Sequence, residues 1–289
     1  MTAQIGGSIP GVKETDHQVA MRDGEKITCR VYQPEKAPSG GSALYVMFHG
    51  GGWCIGGLEN EELLCRLMCS KFGVVAVNID YRLSPEHKFP IPVHDCHDST
   101  AWAAKNASDL GADPSKGFII GGTSAGGNLT AVITNLWRDD GAKLPITGNH
   151  LMIPAVCYGP ALPEKYKKDY RSYDQNANAA ILGTKAMDLF ADNYIPASQR
   201  TDPKFSPLLV KNGQKGLPTS YFQICGQDPL RDEALIYERI LREEQGIKTK
   251  VDVYPGLPHG FWSIAPQLKA SEKFVEDSLK GVGWLLEQK

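Results

Sequence analysis

The sequence predicts one α/β domain with a mostly parallel central sheet and helices on both of its faces. Three observations support this fold class. Short apolar runs rich in β-branched residues recur along the 289 residues. Several of these runs lack the polar alternation of a half-exposed strand, as expected for strands that are covered on both faces. Helix-like segments lie between them, and this alternation indicates βαβ units.

The predicted strands are apolar runs bounded by glycine, proline or aspartate. An antiparallel hairpin is expected at one sheet edge, where Gln18–Ala20 and Ile27–Tyr32 flank the turn residues Asp23 and Gly24. The other strands are predicted at Ala43–Phe48, Val74–Ile79, Phe118–Ile120, Leu151–Cys157, Tyr221–Cys225 and Val251–Tyr254. Helices are predicted over Asn60–Lys71, Asp95–Asn106, Ala125–Arg138, Asp232–Glu244 and Gln267–Glu287.

Residues 160–212 break this alternation of strands and helices. The segment is polar and aromatic, and we interpret it as an insertion between two strands. Its aromatic side chains either line a pocket or pack the insertion itself, and the sequence leaves both interpretations open.

Composition excludes several function classes. The formal net charge is -2 and no run of lysine or arginine stands out, so no nucleic-acid partner is predicted. No apolar run approaches the roughly 18 residues of a membrane span. The N-terminal residues lack the basic and apolar pattern of a secretory signal. Seven scattered cysteines, an odd number, favour reduced side chains and a cytoplasmic protein.

A serine in a glycine-rich turn follows the predicted strand Phe118–Ile120. The segment from Gly122 to Gly126 fits the pattern G-x-S-x-G, with Ser124 at its centre and a predicted helix directly after it. This is the context of the nucleophile elbow of α/β hydrolases, where the sharp turn admits only small residues two positions before and after the serine. A tightly packed or phosphate-binding turn has the same pattern, so these five residues alone leave both functions open.

Three consecutive glycines follow another predicted strand, in the segment from His49 to Trp53. Because Gly50, Gly51 and Gly52 carry no side chain, their backbone N–H groups can approach a substrate closely. Acyl-transfer enzymes need fixed donors at the oxyanion, and α/β hydrolases carry such a loop after an early strand. A flexible loop is the alternative. Neither glycine cluster completes a phosphate-loop or dinucleotide-binding pattern, so no cofactor is predicted.

An acid and a base follow Ser124 in the order that α/β hydrolases use. His259 comes just after the last predicted strand, on a loop that can reach the elbow. His150, the other histidine after the serine, precedes a predicted strand and is expected at the opposite rim. Asp228 comes first after the strand Tyr221–Cys225, where the acid belongs, although an Asp-Pro turn is the alternative.

Five ordered motifs together resemble the hormone-sensitive-lipase-like esterases, the branch of α/β hydrolases with a His-Gly-Gly-Gly loop. The resemblance runs from about residue 40 to the C-terminus, and within the branch the chain is similar to fungal esterases of the versiconal-hemiacetal-acetate type. The motifs are His49–Trp53, Asp80–Glu86 with Phe89-Pro90, Gly122–Gly126, Asp228–Asp232 and His259–Phe261.

The resemblance implies a role for each matched residue. Ser124 would be the nucleophile, His259 the general base and then the acid, and Asp228 the carboxylate that orients the imidazole. The backbone N–H groups of the oxyanion hole would belong to Gly51, Gly52 and Ala125. The residues that would support the glycine loop are His49, Gly50 and Trp53. Support from behind the site would come from Tyr81, Arg82 and Glu86.

Two departures from the family pattern matter. Thr123 precedes the nucleophile where the family more often has an acid, so the local hydrogen bonding is expected to change. Only about 17 residues precede the first strand, fewer than the family usually has. We therefore expect a single domain over residues 1–289 with a small, reduced cap formed by residues 1–17 and 160–212.

Two polar clusters are not assigned to chemistry. His94, Asp95 and His97 fit the start of a helix, and no second cluster has zinc-like spacing, so no metal is predicted. Asp232 and Glu233 are expected to begin the helix after Asp228 and to stabilise its N-terminus.

The prediction is a serine carboxylic-ester hydrolase that acts on small or short-chain acyl esters through an acyl-enzyme. Its partner would be a small-molecule ester, with no metal or cofactor. An acyltransferase, a lactonase or an amidase would use the same acyl-enzyme, and the sequence does not separate these. A non-catalytic receptor on the same scaffold is the alternative from another class, which the presence of His259 disfavours. The oligomeric state is left open between a monomer and a homodimer.

Overall fold

The computed structural model describes residues 7–288, in which eight strands form one sheet. The strands are β1 (Val12–Ala20), β2 (Lys26–Pro34), β3 (Leu44–Phe48), β4 (Val75–Ile79), β5 (Phe118–Thr123), β6 (Gly148–Met152), β7 (Thr219–Gln227) and β8 (Thr249–Pro258). The α-helices are α1 (Glu62–Phe72), α2 (Ile91–Lys105), α3 (Ala125–Asp139), α4 (Glu164–Lys167), α5 (Ser172–Gln175), α6 (Thr184–Tyr194), α7 (Arg231–Arg239), α8 (Phe261–Ile264) and α9 (Lys269–Glu287).

The sheet has the order β1-β2-β4-β3-β5-β6-β7-β8 and is mostly parallel, as predicted. β1 and β2 form the expected hairpin at one edge, with Ala20 opposite Lys26. β2 pairs antiparallel with β4, and the pairs from β4 through β8 are parallel. Because parallel strands end at the same edge, the residues that follow β3, β5, β7 and β8 are brought to one rim.

Helices cover both faces of the sheet. α1 and α9 pack on one face, whereas α2, α3 and α7 pack on the other. All five residues of β3 and all five of β4 are buried between these layers. This explains why both strands are continuous apolar runs in the sequence, with the single polar exception of Asn78. Cys65 and Cys69 lie buried on one face of α1.

The boundaries of β6 were predicted wrongly. The apolar run Leu151–Cys157 suggested the strand, but β6 begins at Gly148 and ends at Met152. Its first residues are polar and buried because they are hydrogen-bonded: Asn149 accepts from the Thr134 hydroxyl at 2.8 Å. The chain then leaves the sheet at Ile153, which has a φ of 42°.

His150 was also placed wrongly by the sequence. It lies inside β6, fully buried, rather than before the strand. Its Nδ1 lies 3.0 Å from the Tyr45 hydroxyl and its Nε2 lies 3.0 Å from Oε1 of Gln223. Burial lowers the pKa of His150 to about 4, so the ring is neutral in the core.

The insertion over residues 160–212 contains α4, α5 and α6 with short 3₁₀ turns between them. At the other end of the chain, residues 12–17 belong to β1, while residues 1–6 lie outside the described part. The assignment of a cap to residues 1–17 and 160–212, on a single domain, stays a prediction. Among the helices within residues 7–288, none has the length and apolarity to cross a membrane.

Candidate active site

Ser124 lies at the sharp turn between β5 and α3. Its φ of 56° and ψ of -112° lie outside the regions that ordinary residues prefer. A Cβ at Gly122 would lie 2.2 Å from the carbonyl oxygen of Gly126, and one at Gly126 would lie 2.1 Å from that of Phe48. The turn therefore admits no side chain at either glycine, as the sequence pattern predicts.

A chain of two hydrogen bonds connects Ser124 to Asp228 through His259. The Oγ of Ser124 lies 2.9 Å from Nε2 of His259, although 135 positions separate the two residues. The Nδ1 of His259 lies 2.7 Å from Oδ2 of Asp228. Since a carboxylate only accepts, Nδ1 carries the proton and Nε2 is free to accept from the serine. The arrangement can therefore take a proton from the Ser124 hydroxyl.

Asp228 is fixed in place by the backbone around it. The residue is only 1% exposed, and its Oδ1 accepts a hydrogen bond of 2.9 Å from the N–H of Leu230. The side-chain amide of Asn176, in the insertion, donates to its backbone carbonyl at 3.0 Å. Asp228 therefore forms the Asp-Pro turn that the sequence offered as its alternative role. Its carboxyl group contacts His259 at the same time.

The glycine loop after β3 is folded so that only glycine fits at its centre. Gly51 has a φ of 120°, and a Cβ there would lie 1.9 Å from the carbonyl oxygen of Ile55. The N–H of Ile55 donates to the carbonyl of Gly51 at 3.0 Å, which closes the turn. Nδ1 of His49 donates to the carbonyl of Gly50 at 2.7 Å and braces the start of the loop. The loop is therefore a defined turn.

Tyr81 supports this loop from behind. Its ring stacks on that of His49 with centroids 4.1 Å apart, and its hydroxyl donates to the His49 carbonyl at 2.9 Å. Burial lowers the pKa of His49 to about 4. Arg82, the residue after Tyr81, forms an ion pair with the buried Asp95, with 2.6 Å between Nη2 and Oδ1. Glu86 is exposed and lines a separate surface groove.

Residues of α6 cover the other side of the glycine loop. A Cβ at Gly52 would lie 2.4 Å from the ring of Phe190. Trp53 has a φ of 61°, and its ring stacks on that of Tyr194 with centroids 4.7 Å apart. The insertion thus packs directly on the segment that the sequence predicts to hold the oxyanion.

A cavity of about 730 Å³ opens above Ser124. The predicted oxyanion residues Gly51, Gly52 and Ala125 line it together with Ser124 and His259. The sequence left open whether the aromatic residues in and next to the insertion line a pocket or pack the insertion itself. Both occur. Those that line the cavity are Tyr158, Tyr170, Tyr173 and Phe190, whereas Tyr166 and Tyr194 are buried.

Two carboxyl groups are buried in the cavity wall, which the sequence did not predict. Glu61 and Glu233 are 4% and 1% exposed, and burial raises the pKa of each to about 8. Oε1 of Glu233 accepts from the N–H groups of Val156 at 2.6 Å and Cys157 at 3.2 Å. Both acids look like ordinary first-turn helix residues in the sequence, which gives no signal of burial.

Glu233 and Asp232 begin α7 as predicted, but their carboxyl groups serve other segments. Instead of binding their own helix N-terminus, they accept backbone N–H groups from loops packed against it. Oδ2 of Asp232 accepts from Arg171 at 2.7 Å and from Ser172 at 2.6 Å. These acids therefore fix the insertion and the loop after β6 to the core.

The remaining polar cluster lies on α2. Asp95 is buried against Arg82, and Cys96 packs in the core. Nε2 of His97 lies 3.1 Å from Oδ2 of Asp140. Each of these side chains thus has a partner within the fold.

Comparison with known proteins identifies the family. A family model described as alpha/beta hydrolase fold matches residues 45–263. The versiconal hemiacetal acetate esterase of Dothistroma septosporum is 39% identical over 268 residues, covering 92% of this chain and 80% of that protein. This confirms the resemblance to fungal esterases.

Solved structures agree with this assignment. The structure of vibralactone cyclase matches with a TM-score of 0.91 and 37% identity, covering 97% of this chain and 82% of that one. A thermostable carboxylesterase cloned from a metagenomic library matches with a TM-score of 0.85 and 31% identity, covering 97% and 91%. The chain belongs to the hormone-sensitive-lipase-like esterases of the α/β-hydrolase family and is a hydrolase of carboxylic esters.

Proposed function

We propose that the protein is a serine esterase that hydrolyses small or short-chain acyl esters through an acyl-enzyme intermediate. The observation that carries this proposal is the hydrogen-bonded chain from Ser124 through His259 to Asp228, next to the glycine loop. Nucleophile, base and orienting carboxylate at hydrogen-bond distance are the requirements of this chemistry.

In the first step, Oγ of Ser124 attacks the ester carbonyl carbon while Nε2 of His259 takes the hydroxyl proton. Asp228 stays ionised, keeps Nδ1 protonated and stabilises the imidazolium. The carbonyl oxygen becomes an oxyanion, which the backbone N–H groups of Gly51, Gly52 and Ala125 hold. Because Ala125 is the first residue of α3, the helix dipole adds to this stabilisation.

The tetrahedral intermediate then collapses. The carbon–oxygen bond to the alcohol breaks, and His259 returns its proton to the leaving alcohol. Water attacks the resulting acyl-Ser124 in the same way, losing a proton to His259, and the carboxylic acid departs from the regenerated serine. No redox change or additional reactant is required.

The cavity supports a small ester as substrate. Its volume of about 730 Å³ lies within the range of pockets for small molecules. Apolar side chains such as Ile181, Leu182 and Phe190 line it beside the nucleophile, so an uncharged acyl or alcohol group fits this environment.

Acyl transfer to a hydroxyl group is the second candidate function. The similarity to vibralactone cyclase favours it, because a cyclase can share the acyl-enzyme and replace water by another acceptor. Lactonase and amidase activity would use the same intermediate. Product analysis with and without an added acceptor alcohol separates these functions, since transfer yields a new ester and hydrolysis yields the acid.

Labelling by a fluorophosphonate tests the proposal against a non-catalytic receptor. We expect stoichiometric modification of the wild-type protein, with the adduct located by mass spectrometry on the peptide that contains Ser124. Absence of an adduct, or an adduct elsewhere, would overturn the proposed nucleophile.

A further inference from the structure

Glu61 is a buried carboxyl group beside the glycine loop, and the reaction described above leaves it without a role. It directly precedes α1 and lines the same cavity as Ser124. Only 4% of the residue is exposed. A buried ionisable group at this position is costly unless its surroundings use it, so its contacts are informative.

The carboxyl group of Glu61 joins two segments of the site. The backbone N–H of Gly50 and the side chain of Thr123 both interact with it and favour its ionised form, and all three residues line the same cavity. Gly50 begins the loop that carries the proposed oxyanion donors, and Thr123 directly precedes Ser124. The two segments also touch each other, because a Cβ at Gly50 would lie 3.1 Å from the carbonyl oxygen of Thr123.

The chemistry of this contact depends on the charge of Glu61. Burial raises the pKa of Glu61 to about 8, because the loss of solvation outweighs the opposing interactions with Thr123 and Gly50. A protonated carboxyl group still accepts through one oxygen while it donates through the other. An ionised carboxylate in the same place would put a negative charge one residue away from the proposed oxyanion donors, where it would repel the oxyanion.

The surroundings of Glu61 contain no compensating cation among the described residues that interact with it electrostatically. These are Tyr45 on β3, Cys65 on α1 and Tyr81 after β4, and burial raises the pKa of all three. Each is therefore neutral near pH 8. The other cavity-lining residues with a carboxyl, amino, guanidinium or imidazole group are Lys167, Asp188, Arg200, Glu233 and His259.

We propose that Glu61 is a positioning residue for the oxyanion loop. Its uncharged carboxyl group fixes Gly50 against Thr123 and thereby directs the N–H groups of Gly51 and Gly52 towards the ester carbonyl. This inference rests on the esterase function proposed above.

Three variants test this role through the pH dependence of kcat on a short p-nitrophenyl ester. Glu61→Ala removes the contact, Glu61→Gln keeps a neutral group that donates and accepts, and Glu59→Gln is the matched control at an exposed glutamate two positions away. Because losing an oxyanion donor costs about 10²- to 10³-fold, misdirecting the donors by Glu61→Ala is expected to lower kcat by about tenfold or more.

The pH dependence of kcat distinguishes a positioning role of Glu61 from a merely structural one. In the wild type and in Glu59→Gln, kcat is expected to fall as pH rises through the ionisation of Glu61. Glu61→Gln is expected to restore most of the kcat that Glu61→Ala loses, and to lack this fall. A merely structural role for Glu61 would change stability and leave the alkaline part of the profile unaltered.

The outcomes separate this inference from the proposed function. An active wild type without an alkaline fall, a Glu61→Gln profile that retains the fall, or a Glu61→Ala kcat equal to that of the wild type overturns the role of Glu61. A wild type that neither hydrolyses the ester nor reacts with the fluorophosphonate overturns the proposed function instead. If Glu61→Ala does not fold, the profile of Glu61→Gln decides alone.

Discussion

Asp228 and His259 form a nearly buried pair, with 2.7 Å between Oδ2 of the acid and Nδ1 of the imidazole. Asp228 is 1% exposed and His259 is 8% exposed. The second carboxylate oxygen is occupied by the N–H of Leu230, so the acid is held in one orientation. The pair therefore fixes both the tautomer and the direction of the ring that faces Ser124.

Replacing Asp228 by asparagine is expected to abolish its control of the His259 tautomer, because the amide has nearly the same shape as the carboxylate but not its charge. An amide can donate to Nδ1 and stabilise the wrong tautomer, and it cannot stabilise the imidazolium. We expect kcat for a p-nitrophenyl ester to fall by about 10³- to 10⁴-fold. Steady-state kinetics and circular dichroism check this together. A folded Asp228→Asn protein with nearly wild-type kcat would show that another group orients His259.

The close approach of Gly126 to Phe48 predicts a large loss of stability in Gly126→Ala. The new methyl group would lie 2.1 Å from a backbone oxygen that cannot move away cheaply. We expect the free energy of unfolding to drop by about 1–3 kcal/mol or more. Gly40→Ala is the matched control, since a Cβ there has no heavy atom within 4 Å. Urea unfolding of both variants tests the difference, and equal stability would contradict the geometry of the elbow.

The buried ion pair between Arg82 and Asp95 is expected to contribute more to stability than an exposed ion pair. The Asp95 side chain is fully buried, whereas the pair between Glu276 and Lys280 is exposed on both sides. Removing Asp95 takes away the three hydrogen bonds that its carboxylate accepts from Arg82 and leaves the guanidinium with Asp23 as its remaining partner. Asp95→Ala should therefore cost about 3 kcal/mol of unfolding free energy, the lower end of the range for a broken buried pair. Glu276→Ala should cost less than about 1 kcal/mol. Similar losses in the two variants would refute this account.

The buried carboxyl groups of Glu61 and Glu233 make stability depend on pH. Their pKa is about 8 in the folded chain against an ordinary value of 4.5. Between these values the folded state binds more protons than the unfolded state, so the free energy of unfolding falls as pH rises through the folded pKa. We expect a fall of about 1 kcal/mol for each group between pH 7 and 8.

Urea unfolding at these two pH values measures the effect. Glu233→Gln is expected to remove about half of the fall, because its side chain no longer ionises. Glu276→Gln, at an exposed position of α9, serves as the control and should keep the full fall. Stability that rises with pH, or a Glu233→Gln protein with an undiminished fall, would contradict the burial of these charges.

The sequence predicted the fold and the order of the site residues because each depends on local constraints. Gly122 and Gly126 are required by an elbow that admits no side chain, and continuous apolar strands follow from burial on both faces. Asp228 and His259 follow β7 and β8, so topology alone brings them to the rim where Ser124 lies. These relationships need no knowledge of packing.

Features that depend on packing between distant segments escaped prediction. His150 appeared to precede a strand because it is polar, but Tyr45 and Gln223 satisfy its ring nitrogens inside β6. Glu61 looks like any acid at a helix start, and only the fold places it against Gly50 and Thr123. The contact of Phe190 with Gly52 likewise joins residues whose proximity the sequence does not encode locally.

Hydrolysis of a short p-nitrophenyl ester by Ser124→Ala tests the central claim most directly. The variant lacks only the attacking oxygen, and Ala fits the turn no worse than Ser by volume. The account predicts a loss of about 10⁴- to 10⁶-fold in kcat, with circular dichroism and urea unfolding close to those of the wild type. A folded Ser124→Ala protein that hydrolyses the ester at the wild-type rate would contradict the assignment of Ser124 as the nucleophile.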